Sequence, residues 1–269
     1  MNYGINIAYF RNTSLANAAL LASKAGFTHV DYTPPVINDD WESIMKTSCK
    51  IFDEYGLKVN QTHIPFNRYG SCGSNHRLYV DRVLEATAFM GAQHAVVHGD
   101  EFDFENTQYS PEAALEYNHN YFCKDIEFAK NNGFKMAFET VFNDHPVKTR
   151  FSSKPQELLD LIHSFNSDYA VCCWDFGHAH VSFRKEAPEW IKKFGSLIEC
   201  THVHDNAGND SHQMLLTGDI DWKQTMNALK ATGYNGVFSI EYAHGSIPEG
   251  MVEEYLNTTA SAVKYLLSL

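Results

Sequence analysis

Short apolar runs recur along the chain at positions 4–8, 28–32, 58–62, 94–97, 135–138, 169–174, 197–203 and 236–240, and their composition predicts eight β-strands. Between them lie longer stretches with apolar residues at helical spacing, including 15–25, 75–90, 111–131, 155–164, 222–231 and 251–267. Ser14 and Asp221 stand where helix N-caps are needed, and Gly26, Gly91, Gly133 and Gly233 follow helical runs where a left-handed closing residue is needed. Strand and helix therefore alternate to the last residue at roughly 34 residues per unit, which predicts a parallel (β/α)8 TIM barrel of the α/β class. A doubly wound open sheet is the main competitor, but no glycine-rich phosphate loop follows the first strand. No linker or low-complexity stretch interrupts the pattern, so residues 1–269 are expected to form a single domain.

Composition adds little to that picture except at its extremes. With 44% hydrophobic and 20% charged residues the chain can bury a large core and is far from disordered composition. No apolar run is long enough to span a bilayer, and the first eight residues lack the basic start and apolar stretch of a signal peptide, which leads to the expectation of a cytoplasmic protein without membrane contact. The six cysteines have no CxxC spacing and are expected as free thiols, with Cys172, Cys173 and Cys200 as small hydrophobes. A net charge of −12 argues against a nucleic-acid partner, since a phosphate backbone would be repelled.

Fourteen histidines matter through where they fall. His63, His98, Glu139, Asp175, His202 and Glu241 each stand at or just beyond the end of a predicted strand, the end from which a barrel presents its catalytic groups, and His178 follows Asp175 by three. Several carboxylates converging on one mouth would repel one another unless a cation or shared proton compensates. Imidazole and carboxylate donors without thiolate suit zinc, manganese, iron or cobalt better than calcium or magnesium. Glu139, Asp175, His202 and Glu241 alone could hold one ion and leave positions open for substrate oxygens.

The motifs THIPF at 62–66, VVHGD at 96–100, FET at 138–140, WDFGHAH at 174–180, HVHDN at 202–206, DSHQMLLTGDIDW at 210–222 and SIEY at 239–242 carry a resemblance that covers the whole chain. It is to the xylose isomerase-like barrel superfamily, which includes endonuclease IV, ketose 3-epimerases and inosose-processing isomerases and dehydratases. The resemblance implies a core metal site at Glu139, Asp175, His202 and Glu241. Additional metal positions, as in the trinuclear site of endonuclease IV, would fall at His63, His98, His178, Asp210 and His212, so that one to three divalent ions, zinc or manganese foremost, are expected. The sequence departs from the family at Leu215–Leu216–Thr217–Gly218, where LGEG is usual.

The leading expectation is a metal-dependent sugar isomerase or epimerase that works on a small carbohydrate or polyol through an enediolate, with Glu139 and Glu241 exchanging the proton. His178, Phe66 and His63 are expected to touch the substrate. The alternative is phosphoester hydrolysis of the endonuclease IV kind, and behind it a non-catalytic metal- or sugar-binding module. His180, His204, His244 and Asp205 are expected to orient ligands or occupy loops, and Trp174 and Trp222 to fill core or wall. Phe10, Phe66 and Tyr242 are candidates for an apolar wall, and Arg11 and Arg68 for an anion contact. Segments 101–110 and 140–153 are candidate lids, and a homo-oligomer is compatible with all of this.

Overall fold

The computed structural model describes every residue except Tyr9, 68–71, 102–108, 144–148 and His244. The strands are β1 (Tyr3–Asn6), β2 (His29–Asp31), β3 (Lys58–His63), β4 (His94–His98), β5 (Lys135–Glu139), β6 (Ala170–Asp175), β7 (Ile198–His202) and β8 (Phe238–Ile240). All pair in parallel in the order β7-β6-β5-β4-β3-β2-β1-β8. The ring closes between its two ends, where Val203 and Ile240 form a parallel bridge and the Val203 amide donates to the Ser239 carbonyl at 2.8 Å. A (β/α)8 barrel is therefore the fold, as the alternation of elements predicts.

The helices are α1 (Leu15–Ala25), α2 (Trp41–Glu54), α3 (His76–Met90), α4 (Pro111–Asn132), α5 (Pro155–Ser164), α6 (Phe176–Phe183), α7 (Ala187–Phe194), α8 (Trp222–Ala231) and α9 (Val252–Ser268). Ser14 and Asp221 cap α1 and α8 by accepting from the amides of Asn17 and Gln224, and the four glycines expected to close helices all lie in the left-handed region. Three helices lie outside the stretches singled out by apolar spacing. In α2 one of the buried positions is Ser48, which breaks the apolar stripe, and α6 and α7 are short and separated by Arg184, whose φ of 44° interrupts the helix. Among the described residues no helix is long and apolar enough to cross a membrane.

Side chains along a strand alternate between the two faces of the sheet. One face packs outward against the helices, where Phe138 meets Phe122 edge-on at 5.7 Å and stacks on Phe165 at 5.1 Å between ring centroids. The other face fills the barrel. There Val96, Ala137, Val171, Cys173 and Cys200 form a separate, fully buried apolar cluster. Four of these five stand two residues before His98, Glu139, Asp175 and His202, so the same face that carries the apolar floor carries the polar groups above it. The two cysteines in the cluster act as small hydrophobes, and burial pushes the Cys173 thiol well up. Strand register places His98 beside Glu139 and Asp175 beside His202.

Phe138 is wholly buried between helix and sheet, and truncation leaves a void that neighbouring rings cannot fill. Phe138→Ala should cost about 3–5 kcal/mol in urea-induced unfolding, against less than about 1.5 kcal/mol for Phe138→Leu if the volume loss is taken up by repacking.

Candidate metal centre and active site

Five strands end on a group that the sequence marks out: His63, His98, Glu139, Asp175 and His202 are the final residues of β3 to β7, and Glu241 directly follows β8. Parallel pairing brings all six to the C-terminal mouth. Glu139, 1% exposed, lies at their centre. One of its oxygens is 3.0 Å from His63 Nε2 and 3.2 Å from His98 Nε2. The other is 3.1 Å from His178 Nδ1 and 3.2 Å from His202 Nδ1.

Asp175 both ends β6 and caps α6, accepting from the His178 amide at 2.6 Å, and this cap fixes the distance between the two motif residues. Its other neighbours are His204 Nε2 at 3.1 Å and His178 Nδ1 at 3.5 Å. His202 Nδ1 lies 3.2 Å from Glu241 as well as 3.2 Å from Glu139. Neither contact has the direction of a formed hydrogen bond, which leaves a buried ring nitrogen facing two carboxylates without a partner. Asp210 Oδ1 lies 3.2 Å from His212 Nε2 and 3.6 Å from His178 Nε2.

Electrostatics follows from this crowding. Burial raises the cost of charge on Glu139, but the imidazoles of His202, His98 and His178 packed against it outweigh that cost and hold the carboxyl well below the usual range. Burial likewise opposes charge on His178, and Asp175 and Glu139 overcome it, pushing its pKa up to about 9. For His212 burial is outweighed by Asp210 and Glu241, which raise it to about 10.

Among the described residues three groupings could hold an ion. Glu139, Asp175, His202 and Glu241 offer four ligand atoms within 4.8 Å of one another, and so do His178, His204, Asp210 and His212. A third, of His63, Glu139 and His202, shares two members with the first. Three like charges held at about 4 Å repel by about 4 kcal/mol per pair at an effective dielectric of about 20, and a divalent cation is the direct way to reverse that sign.

The histidines are also oriented as ligands are. His63 Nδ1 faces the Ile64 carbonyl at 2.8 Å, His178 Nδ1 the Thr140 carbonyl at 3.0 Å, and His212 Nδ1 the Glu241 carbonyl at 2.7 Å. Donation from Nδ1 to a backbone carbonyl directs Nε2 at the mouth and fixes the tautomer a metal requires. The donor set thus fits a divalent ion.

All ten predicted site residues are described and nine cluster at the centre. Phe66, the tenth, lies at its rim, half exposed, stacked on His98 at 4.4 Å and edge-on to His63 at 5.0 Å. A cavity of 320 Å³ opens beside it, with Asn6, Asp31, Gln61, His202 and Glu241 in its walls.

Several secondary expectations change. Phe10 and Tyr242 are buried core residues outside the wall of this cavity; Tyr242 accepts from the Leu215 amide at 2.7 Å. His204 is more than a loop residue, since it is fully buried, reaches Asp175 and stacks on His212 at 3.8 Å. A side chain at Gly177 would place its Cβ 1.9 Å from the His204 ring, so glycine there is a condition for His204. Asp205 ties down the divergent Leu215–Gly218 turn by accepting from the Leu216 amide at 2.9 Å and Trp222 Nε1 at 2.8 Å. His180 pairs with Asp219 outside the centre, and Trp174 lies in the core. Arg68 and His244 lie outside the described residues, as do residues 102–108 and 144–148 of the candidate lids. The described end of the second, Arg150–Phe151–Ser152–Ser153, is buried.

Two residues were missed. Asp31 ends β2 as the others end their strands, so strand-end position could have found it. It accepts from Gln61 at 2.9 Å, and burial, only partly offset by the Ser239 hydrogen bond and His202, pushes its pKa to about 6. Arg150 sits in an irregular loop with no pattern to mark it, yet contacts His98 at 2.7 Å.

The chain matches the model of a family described as xylose isomerase-like TIM barrel over residues 19–262. An uncharacterised protein of Methanocaldococcus jannaschii is 24% identical over 260 residues, covering 90% of this chain and 83% of that protein. Among solved structures, a D-tagatose 3-epimerase-like protein superposes with a TM-score of 0.80 at 22% identity, covering 100% of this chain and 97% of the other. The IolI protein with a bound zinc atom gives 0.80 at 18% identity, covering 100% and 98%. A D-psicose 3-epimerase with D-tagatose, from Clostridium cellulolyticum H10, gives 0.78 at 14% identity, covering 99% of each chain.

The raised histidines give a pH dependence with a definite sign. Their contribution to stability in chelator-treated protein is complete below the unfolded value of 6.5 and is lost as pH rises through about 9 and 10. Urea midpoints of chelated protein should therefore fall from pH 6.5 to 10. Added zinc, which takes the place of the protons, should remove that slope.

Proposed function

The chain belongs to the xylose isomerase-like TIM-barrel family, and on that premise we propose that it is a divalent-metal-dependent isomerase or epimerase of a small carbohydrate or polyol. The observation that carries the reading is the placement of Glu139 and Glu241, each 3.2 Å from the one nitrogen of His202, at the open mouth of the barrel beside a cavity with an aromatic rim. The names of its structural neighbours, D-tagatose and D-psicose 3-epimerase, support the substrate class, and the zinc of the IolI structure supports a metal.

Held by Glu139, Asp175, His202 and Glu241, a zinc or manganese ion would supply the positive centre that lowers the cost of negative charge on substrate oxygens. The protein's own groups do the rest. Glu139 and Glu241 come from β5 and β8, three places apart around the ring, so the two carboxylates approach the same point from different directions. One removes the proton beside the substrate carbonyl and the other returns a proton from its own side, which inverts that carbon; return at the neighbouring carbon moves the carbonyl. The low position of the Glu139 carboxyl keeps it ionised and able to accept. His178 and His63 flank this point within reach of substrate hydroxyls, and Phe66 offers its exposed ring to the carbon face of a sugar. The apolar cluster beneath closes the floor of the mouth to water, so the two carboxylates meet solvent only from above.

Phosphoester hydrolysis stays in view because of one feature, the second grouping of His178, His204, Asp210 and His212, which gives capacity for a further ion. Strand cleavage of an abasic-site duplex would establish it, and binding of sugar without turnover would establish a non-catalytic role.

The test of the leading reading is turnover of a ketose panel in deuterium oxide with zinc or manganese restored after chelation. Deuterium should enter the carbon beside the carbonyl, and Glu139→Gln and Glu241→Gln should each lower turnover by at least about 100-fold. Turnover without exchange of that hydrogen would count against an enediolate.

A further inference from the structure

His98 differs from the other histidines of the mouth in what holds its ring. His63, His178 and His212 turn Nδ1 to a backbone carbonyl. His98 turns Nδ1 to the guanidinium of Arg150, with 2.7 Å between Nδ1 and Nη2. A guanidinium has donors only and keeps its proton, so His98 Nδ1 must accept. The hydrogen of the neutral ring is then on Nε2, which faces Glu139 Oε2 at 3.2 Å. Both ring nitrogens are thereby used, and no lone pair is left for an ion.

We infer that Arg150 is a positioning residue that removes His98 from the metal-ligand set: it fixes the ring with Nδ1 as acceptor and the hydrogen on Nε2, and so restricts the mouth to at most two ions. Arg150 is well placed to do so. Its side chain is 5% exposed, Nε donates to Asp100 at 2.5 Å and Nη1 to the Phe142 carbonyl at 3.2 Å. Its backbone is tied as well, the amide donating to Asn143 Oδ1 at 3.0 Å and the carbonyl accepting from Ser153 Oγ at 2.6 Å. Phe66 covers a face of the His98 ring, so the imidazole is fixed by both packing and hydrogen bonds.

The consequence for metal capacity follows from the groupings. His98 belongs to none of the three sets of converging ligand atoms among the described residues. The set of His63, Glu139 and His202 shares Glu139 and His202 with the core set, which leaves His63 as its one separate ligand. An ion near His98 would also lie close to a permanent, buried positive charge, with repulsion little screened by water. Two ions remain, one in the core set and one among His178, His204, Asp210 and His212. This restriction rests on the reading of the mouth as a metal site; the state of the His98 ring does not.

The deciding experiment is nitrogen-15 NMR of the imidazole side chains of the whole protein during a zinc titration, with His98 assigned from the spectrum of His98→Gln. The expected result is an acceptor-type Nδ1 and a protonated Nε2 for His98, unchanged at saturating zinc, with elemental analysis giving no more than two zinc ions per chain. Arg150→Met should release the ring, with His98 shifting on zinc addition and the metal content rising by one; Arg150→Lys, which keeps a donor and a charge, should resemble the wild type. A proton on Nδ1 of the wild-type ring, a zinc-induced change at His98, or a third ion in the wild type would overturn the inference. If zinc does not bind at all, the metal reading falls, whereas the NMR spectrum still decides the tautomer whether or not the Arg150 variants fold.

Discussion

A carboxylate with almost no solvent exposure must find its compensation inside the protein, and Glu139 is the group around which this mouth is arranged. Removing such a charge from water costs several kcal/mol even after relaxation. The structure offsets that cost with imidazoles from four other segments, His63, His98, His178 and His202, each within 3.2 Å of a Glu139 oxygen. Those imidazoles are in turn held by carbonyls, by Asp175, by Glu241 or by Arg150. Each additional carboxylate raises the demand for positive charge at the centre, and the same arrangement that stabilises Glu139 could hold a cation.

The barrel makes this arrangement possible at modest entropic cost, because the groups stand on strands and not on free loops. Parallel pairing brings the ends of β3 to β8 to one mouth, with His98 beside Glu139 and Asp175 beside His202, and alternation along the strands sets these residues over the buried cluster of Val96, Ala137, Val171, Cys173 and Cys200. That floor is apolar and closely filled, so the groups above it meet a low dielectric from below and solvent from above. The proposed proton transfer by Glu139 and Glu241 and the proposed binding of a divalent ion would both draw on this asymmetry.

Loops complete the site through specific supports. Asp205, fully buried, gathers the amide of Leu216 and the indole of Trp222 and so holds the segment that carries Asp210 and His212. Gly177 clears the space in which His204 stacks on His212. Arg150 acts in the opposite sense, since it commits a histidine of ligand type to hydrogen bonding. On the inference drawn above, residue type alone would overstate the number of ions the mouth could accept, and the difference would lie in the direction in which one ring nitrogen points.

The amino-acid sequence by itself determined the barrel and the inventory of its mouth. Period-two apolar runs alternating with helical spacing define strands and helices locally, and a side chain at the end of an inward-facing strand position has only one place to go once the strands pair in parallel. His63, His98, Glu139, Asp175, His202 and Glu241 were legible for that reason, and Asp31 was legible by the same rule. Tertiary structure alone decided which of these groups touch, that Phe10 and Tyr242 belong to the core, that His204 joins the centre, and that Arg150 occupies His98. Those outcomes depend on contacts between residues far apart in the chain: His98 and Arg150 are 52 positions apart and Glu139 and His63 are 76 apart. Local periodicity carries no information about such pairs, whose geometry is set by how loops of irregular sequence return to the barrel.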